Sequence, residues 1–194
     1  MLDNENGDEL NLNALSKQYQ DFINQMYSHL LLARNKNNEV KSRYIAQMIQ
    51  IGVAVVDFTQ AHKIYRYGGG EGFSAKVMIR PLILRAYEQD LAMSHWAKEL
   101  NDISTLVHAP NESSHYRAER AKHRVALKKL QKMSDIRHTI GHSGGDAASF
   151  IADICSVDMD EVEPCCLAML DCTTKLLTHA LQLAPYINAW KADR

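Results

Sequence analysis

The residues best suited to chemistry stand close together, where the chain reads Asp135-Ile136-Arg137-His138-Thr139-Ile140-Gly141-His142. Metal-free cleavage of RNA needs a group that takes the proton of the 2′-hydroxyl and a group that protonates the departing 5′-oxygen. It also needs a fixed cation against the extra negative charge of the phosphorane. Histidine titrates near neutrality and suits the proton transfers, while arginine stays charged and holds two phosphate oxygens at once. Arg137 and His142 supply these types with four residues between them. His138 stands one helical turn before His142 as a supporting group, and Asp135 is spaced at i,i+3 to hold it and bias its tautomer. On a regular helix Arg137 and His142 point about 140° apart. Either His142 therefore lies where the helix unwinds before Gly144, or a second copy of the chain completes the site.

Upstream, Arg117, Arg120, Arg124 and Lys128 fall on one helical stripe with Lys132 nearby, offset only by Glu119. This stripe is the expected hold on an RNA backbone. His123, Leu127 and Leu130 sit on the opposite side, which marks His123 as core or lining and sets aside the other arginine–histidine pair, Arg117 and His123.

The run Arg137 to His142, preceded by a basic helix and followed by a glycine pair, is an arginine, a polar residue, three more residues and a histidine. It resembles the signature of the HEPN superfamily of helical-bundle ribonucleases. The long-helix layout over roughly residues 15–183, with Arg80-Pro81-Leu82 and Arg85-Ala86-Tyr87-Glu88 in the third helix, also looks like that of some HEPN-like bacterial proteins. The resemblance implies a homodimer that pools two motifs in one cleft, metal-independent endoribonuclease activity, and a toxin–antitoxin or phage-defence setting with an antitoxin or defence partner protein. Some toxins of this type are silenced by nucleotide addition to a tyrosine two residues past the motif histidine. Here that position is Gly144, which does not support such regulation. A non-catalytic helical dimer that binds RNA or protein is the alternative.

Other constellations read as structural. The run Gly68-Gly69-Gly70-Glu71-Gly72 lacks the lysine and hydroxyl spacing of a phosphate loop, since Lys76 stands between Ala75 and Val77, so it is an inter-helix loop. His138 and His142 are spaced to share a metal, and Glu112 and His115 have the Glu-x-x-His spacing of di-iron bundles. No second such pair exists, and no metal or cofactor is expected. Arg85 and Glu88 are placed to pair at i,i+3, with Arg80, Leu84 and Glu88 on a shared face.

The elements that must position these residues are helices. Apolar residues recur at three- and four-residue steps from Leu12 to Ala33 and again from about Glu39 to Tyr65, with Asn35 to Asn38 between. A third helix is expected after the glycine run, with Ser74 as N-cap and a kink or later start at Pro81. Pro110 closes it, and Asn111 or Ser113 caps a fourth from roughly Glu112 to Met133, continued over Ser134 to His142. The last long helix runs from about Asp160 to Leu183, with Pro185 breaking it before Tyr186 to Trp190. Only Phe150 to Val157 reads as a possible strand. The expected fold is all-α, an up-and-down bundle of about five helices in one domain over residues 10–194, after a loosely ordered stretch at 1–9.

Bulk properties bound the rest. The chain has 194 residues and a formal net charge of −1, so no global cationic field gathers nucleic acid and any RNA contact must be local. The most apolar stretch, Ile45 to Phe58, is interrupted by Gln47, Gln50 and Asp57, so no membrane span is expected. Cys155, Cys165, Cys166 and Cys172 do not make a disulfide framework. Reduced thiols and a cytoplasmic location are the expectation.

Overall fold

The computed structural model describes residues 5–68, 72–110, 113–132 and 147–190. The described elements are all helices: α1 (Glu5–Asn35), α2 (Glu39–Gly68), α3 (Phe73–Met78), α4 (Arg80–Leu106), α5 (Ser113–Lys122), α6 (Arg124–Lys132), α7 (Ala147–Cys155), α8 (Met159–Gln182) and α9 (Ala184–Ala189). Among the described residues there is no strand, so the all-α expectation holds, with more helices than the five expected.

α2 is the axis of the packing. Val40, Tyr44, Ile45, Met48, Ile51, Val55 and Phe58 recur at helical spacing and are buried. Each such side chain removed from water contributes about 1.5–3 kcal/mol. α1 packs along α2, and Gly52 permits the approach: a Cβ there would stand 3.2 Å from Ile23 Cγ1. α4 and α8 cover other faces of α2 through Leu82, Ile83, Met93, Leu100, Met169 and Leu176. Two buried polar side chains, Gln89 and Tyr44, are satisfied across this region. Gln89 donates to the Ala54 carbonyl at 2.6 Å and accepts from Thr173 Oγ1 at 2.9 Å, so one side chain ties α2, α4 and α8. The Tyr44 hydroxyl donates to the Ala180 carbonyl at 3.0 Å, and burial raises its pKa to about 12.

The helix ends have local causes. Asn37 takes a left-handed conformation (φ 52°), with Asn38 N–H bonded to the Ala33 carbonyl and Asn37 N–H to Arg34, a Schellman stop. Asn38 then starts α2 by accepting the Lys41 N–H at 2.9 Å. The same stop recurs at His108 (φ 53°), where Ala109 N–H reaches the Ser104 carbonyl.

Three expectations change and one holds. Ser74 is not the N-cap of the third helix: α3 begins at Phe73 after Gly72, whose positive φ of 65° suits glycine, and no side chain caps it. The helix restarts at Arg80 with Pro81 in its first turn, where the missing N–H costs nothing, as the later-start reading anticipated. The fourth helix is broken at His123 into α5 and α6. The segment read as a possible strand lies largely in α7, where Ile154 is fully buried; its short apolar run fitted either state until packing chose.

No helix among the described residues is long and apolar enough to cross a membrane. None of the four cysteines is in a disulfide; Cys155 is exposed and the other three are buried.

Candidate nucleic-acid interface

Asp135, Arg137, His138 and His142 lie outside the described residues, as do Glu112 and the side chains of His115 and Lys132. The geometry therefore bears on the basic element that leads to the motif. Lys132 ends α6, and Arg137 follows five positions later in sequence.

α6 is anchored by its apolar side. Leu127 and Leu130 are buried against the bundle, at 4% and 0% exposure. α5 is different: none of its described side chains is buried, and Arg117, Ala118, Ala121 and Lys122 are exposed. Ionic contacts hold this arm. Arg120 Nη2 donates to Asp90 Oδ1 at 2.9 Å, and the Asp90 side chain, on α4, is only 6% exposed. His123, at the break, places Nε2 2.7 Å from Asp171 Oδ2 on α8. Lys129 pairs with Glu161, a contact that holds the Lys129 ammonium pKa above its ordinary value.

The break gathers the stripe. Arg117, Arg120 and Ala121 from α5, with Arg124, Leu127 and Lys128 from α6, line one open concavity of about 290 Å³. Four of the five expected RNA-contacting residues thus meet in one place, and they differ in kind. Arg120 is half-buried and bonded to Asp90, whereas Arg117, Arg124 and Lys128 are exposed. His123 is half-buried and faces Asp171, so it is not a core residue.

Sequence reasoning missed Asp90. The signal was present: Asp90 stands among Leu82, Ile83, Ala86, Met93 and Trp96, all buried at helical spacing, and a carboxylate on such a stripe demands a cation. It also missed an ion cluster between α2 and α8. His62 Nε2 lies 2.8 Å from Glu163 Oε1, and Arg66 Nε lies 2.9 Å from the same oxygen. The hydrogen bond from His62 is the main cause of a Glu163 pKa below the ordinary glutamate value, aided by Arg66 and opposed by burial. His62 is 6% exposed, and its Nδ1 is buried without a hydrogen-bond partner among the described residues. The expected Arg85–Glu88 pair is present at 2.7 Å, and Arg85 also lies 3.8 Å from Asp57.

A second concavity, of about 360 Å³, runs between α2 and α4. Ile49, Val53, Ala54, Ala92 and Trp96 line it, with Asp57, Arg85 and Glu88 also at its walls. Among the described residues no group of three or more His, Cys, Asp or Glu side chains is arranged to hold a metal ion.

No family model, curated protein or solved structure matches this chain.

Proposed function

We propose that the protein is a metal-independent endoribonuclease of HEPN type, acting as a homodimer in a toxin–antitoxin or antiphage setting. The observation that carries this reading is the convergence of Arg117, Arg120, Arg124 and Lys128 on one concavity, the last of them nine positions in sequence ahead of Arg137. A cationic depression takes hold of phosphates, and the motif supplies groups for cutting beside them. In the proposed reaction the 2′-oxygen gives up its proton and attacks phosphorus, the P–O5′ bond breaks, and the 5′-oxygen takes a proton. The products are a 2′,3′-cyclic phosphate and a 5′-hydroxyl, with no water consumed. His142 transfers the proton, Arg137 neutralises the phosphorane, and Asp135 orients the supporting His138. The second copy supplies the other histidine, so that acid and base are separate groups.

The test is cleavage of end-labelled RNA in excess EDTA by wild type, His142→Ala and Arg137→Ala. Wild type is expected to leave cyclic phosphate ends, and each variant to lose at least about a hundredfold in rate. A second reading, a non-catalytic helical dimer that binds RNA or protein, draws on the apolar walls of the α2–α4 groove. Absence of cleavage by folded wild type across several RNAs would leave that second reading in place.

A further inference from the structure

The α2–α4 groove is framed by charges in a regular order. Arg43 on α2 bonds Glu99 on α4 at 2.8 Å, one turn past the Trp96 end of the groove. At the other end Asp57 on α2 lies 3.8 Å from Arg85 on α4. The two helices therefore run antiparallel, with Gln89 bonded to the Ala54 carbonyl between these ends. On each helix the cation comes first and the carboxylate follows fourteen residues later. That is close to four turns, so the opposite charges of each helix stand near one face, about 21 Å apart. Halfway between them are Gln50 on α2 and Ala92 on α4, both in the groove lining. Val53, almost one turn past Gln50, is 41% exposed there.

A face with this order of charges matches itself. A two-fold axis in the plane of the groove, crossing both helices at their midpoints, lays the Arg43–Glu99 end of one copy over the Asp57–Arg85 end of another. Arg43 then stands opposite the second copy's Asp57, and Arg85 opposite its Glu99, so each end becomes a square of alternating charge. An axis along the groove sets Arg43 against Glu99 and Asp57 against Arg85, again unlike charges. Neither symmetry brings these four into like-charged pairs. All four side chains keep between 22% and 47% exposure, so their bonds within the chain leave room for a partner on the outer side. Glu88, 2.7 Å from Arg85, adds one carboxylate at that end, which faces Arg43 in the first arrangement. Cations and carboxylates so nearly balance at both ends that a uniformly acidic or basic partner gains little there.

We propose that the α2–α4 groove is the surface through which two copies of this chain pair, with Val53 and Ala92 covered at the centre and Arg43, Asp57, Arg85 and Glu99 matched at the ends. The proposal rests on the homodimer common to both readings above, gives it a surface, and needs no RNA chemistry. The framed strip, about 21 Å long and two helices or about 20 Å wide, gives a footprint of roughly 400 Å² per copy. That is about half of what a standard interface buries per partner, so the pairing is reversible and falls in the micromolar range.

The test is sedimentation velocity of the full chain across the micromolar range, with folding of every variant followed by circular dichroism. Wild type is expected to show a concentration-dependent monomer–dimer equilibrium. Two variants carry a single sign of charge at both ends: Arg43→Glu/Arg85→Glu is acidic, and Asp57→Arg/Glu99→Arg is basic. Each alone is expected to pair at least about tenfold more weakly than wild type, because like charges now face each other. An equimolar mixture of the two is expected to pair within about threefold of wild type, as a heterodimer. That recovery also separates a blocked surface from a damaged fold. Val53→Asp alters an exposed position that the fold tolerates, and it too is expected to weaken pairing at least about tenfold, by placing a charge at the covered centre. Should a charge variant fail to fold, this variant decides. Variants that pair as wild type does, or a mixture that pairs no better than its components, overturn the proposal and leave the homodimer to another surface. A wild type that stays monomeric throughout overturns the proposal and the homodimer together, and leaves the groove to a different partner.

Discussion

Two depressions of similar size open on this bundle, and they are built on opposite terms. The α2–α4 groove, about 360 Å³, lies between two long helices whose apolar spacing continues beyond the surface they cover for each other. Its charges satisfy one another: Arg85 bonds Glu88 at 2.7 Å and lies 3.8 Å from Asp57. The α5–α6 concavity, about 290 Å³, lies between two short helices, with three exposed cations and Arg120 drawn together. Most of the apolar groove walls follow from folding, since Trp96 belongs to the core and Ile49, Ala54 and Ala92 pack against it, whereas Val53 is exposed. Gathered like charges oppose folding by mutual repulsion, and no packing requirement explains them. The concavity whose exposed cations the fold does not need is the better candidate for function.

That contrast predicts different losses at the two places. Trp96, 7% exposed at the groove, also packs in the core. Trp96→Ala is expected to lower unfolding free energy by about 3–5 kcal/mol in urea titrations while leaving the salt slope of RNA binding unchanged. A small stability loss there would break the claim that the groove walls belong to the core. A smaller effect is expected at Asp90, which joins the basic arm to α4. Asp90→Ala strands the Arg120 guanidinium, but that side chain keeps 30% exposure and finds water, so the expected loss is about 2 kcal/mol. Hydrogen exchange should show it as faster opening of α5 than of α2; equal protection in both would contradict the ionic tether.

The smallest effect belongs to the paired charges between α2 and α8. Glu163, held by His62 and Arg66, has a folded pKa below its ordinary value of 4.5. A depressed carboxylate pKa stabilises the fold above the unfolded value, and the contribution is lost as pH falls through the folded value. The melting-temperature advantage of wild type over Glu163→Gln should therefore be full at pH 5 and above, worth about 1–2 kcal/mol, and should shrink below about pH 4. An advantage that grows on acidification would reverse the assigned sign.

Much of this was legible because helices are local. The buried stripe of α2, from Val40 to Phe58, repeats at a period that the side-chain types alone display. Asn38 and Pro81 act on their own helix ends through backbone chemistry that needs no tertiary partner. The break at His123 was not legible. Residues 112–133 have no glycine or proline, and the split accompanies an ionic hold from α8, through Asp171, on a residue far away in sequence. α7 was missed for a related reason, since a short apolar run is helix or strand until packing selects one.

For the candidate site the division is the same. Composition and spacing alone determined an all-helical chain, a near-neutral total charge, a local run of cations and a motif whose side chains suit phosphate chemistry. Only the tertiary structure decided which cations meet in one concavity and which of them is committed to a buried carboxylate. The reason is physical: helical periodicity is set by bonds within a few residues, whereas the state of a charge is set by whatever the fold brings beside it. Asp90 stands thirty residues before Arg120 in sequence and 2.9 Å from it in space.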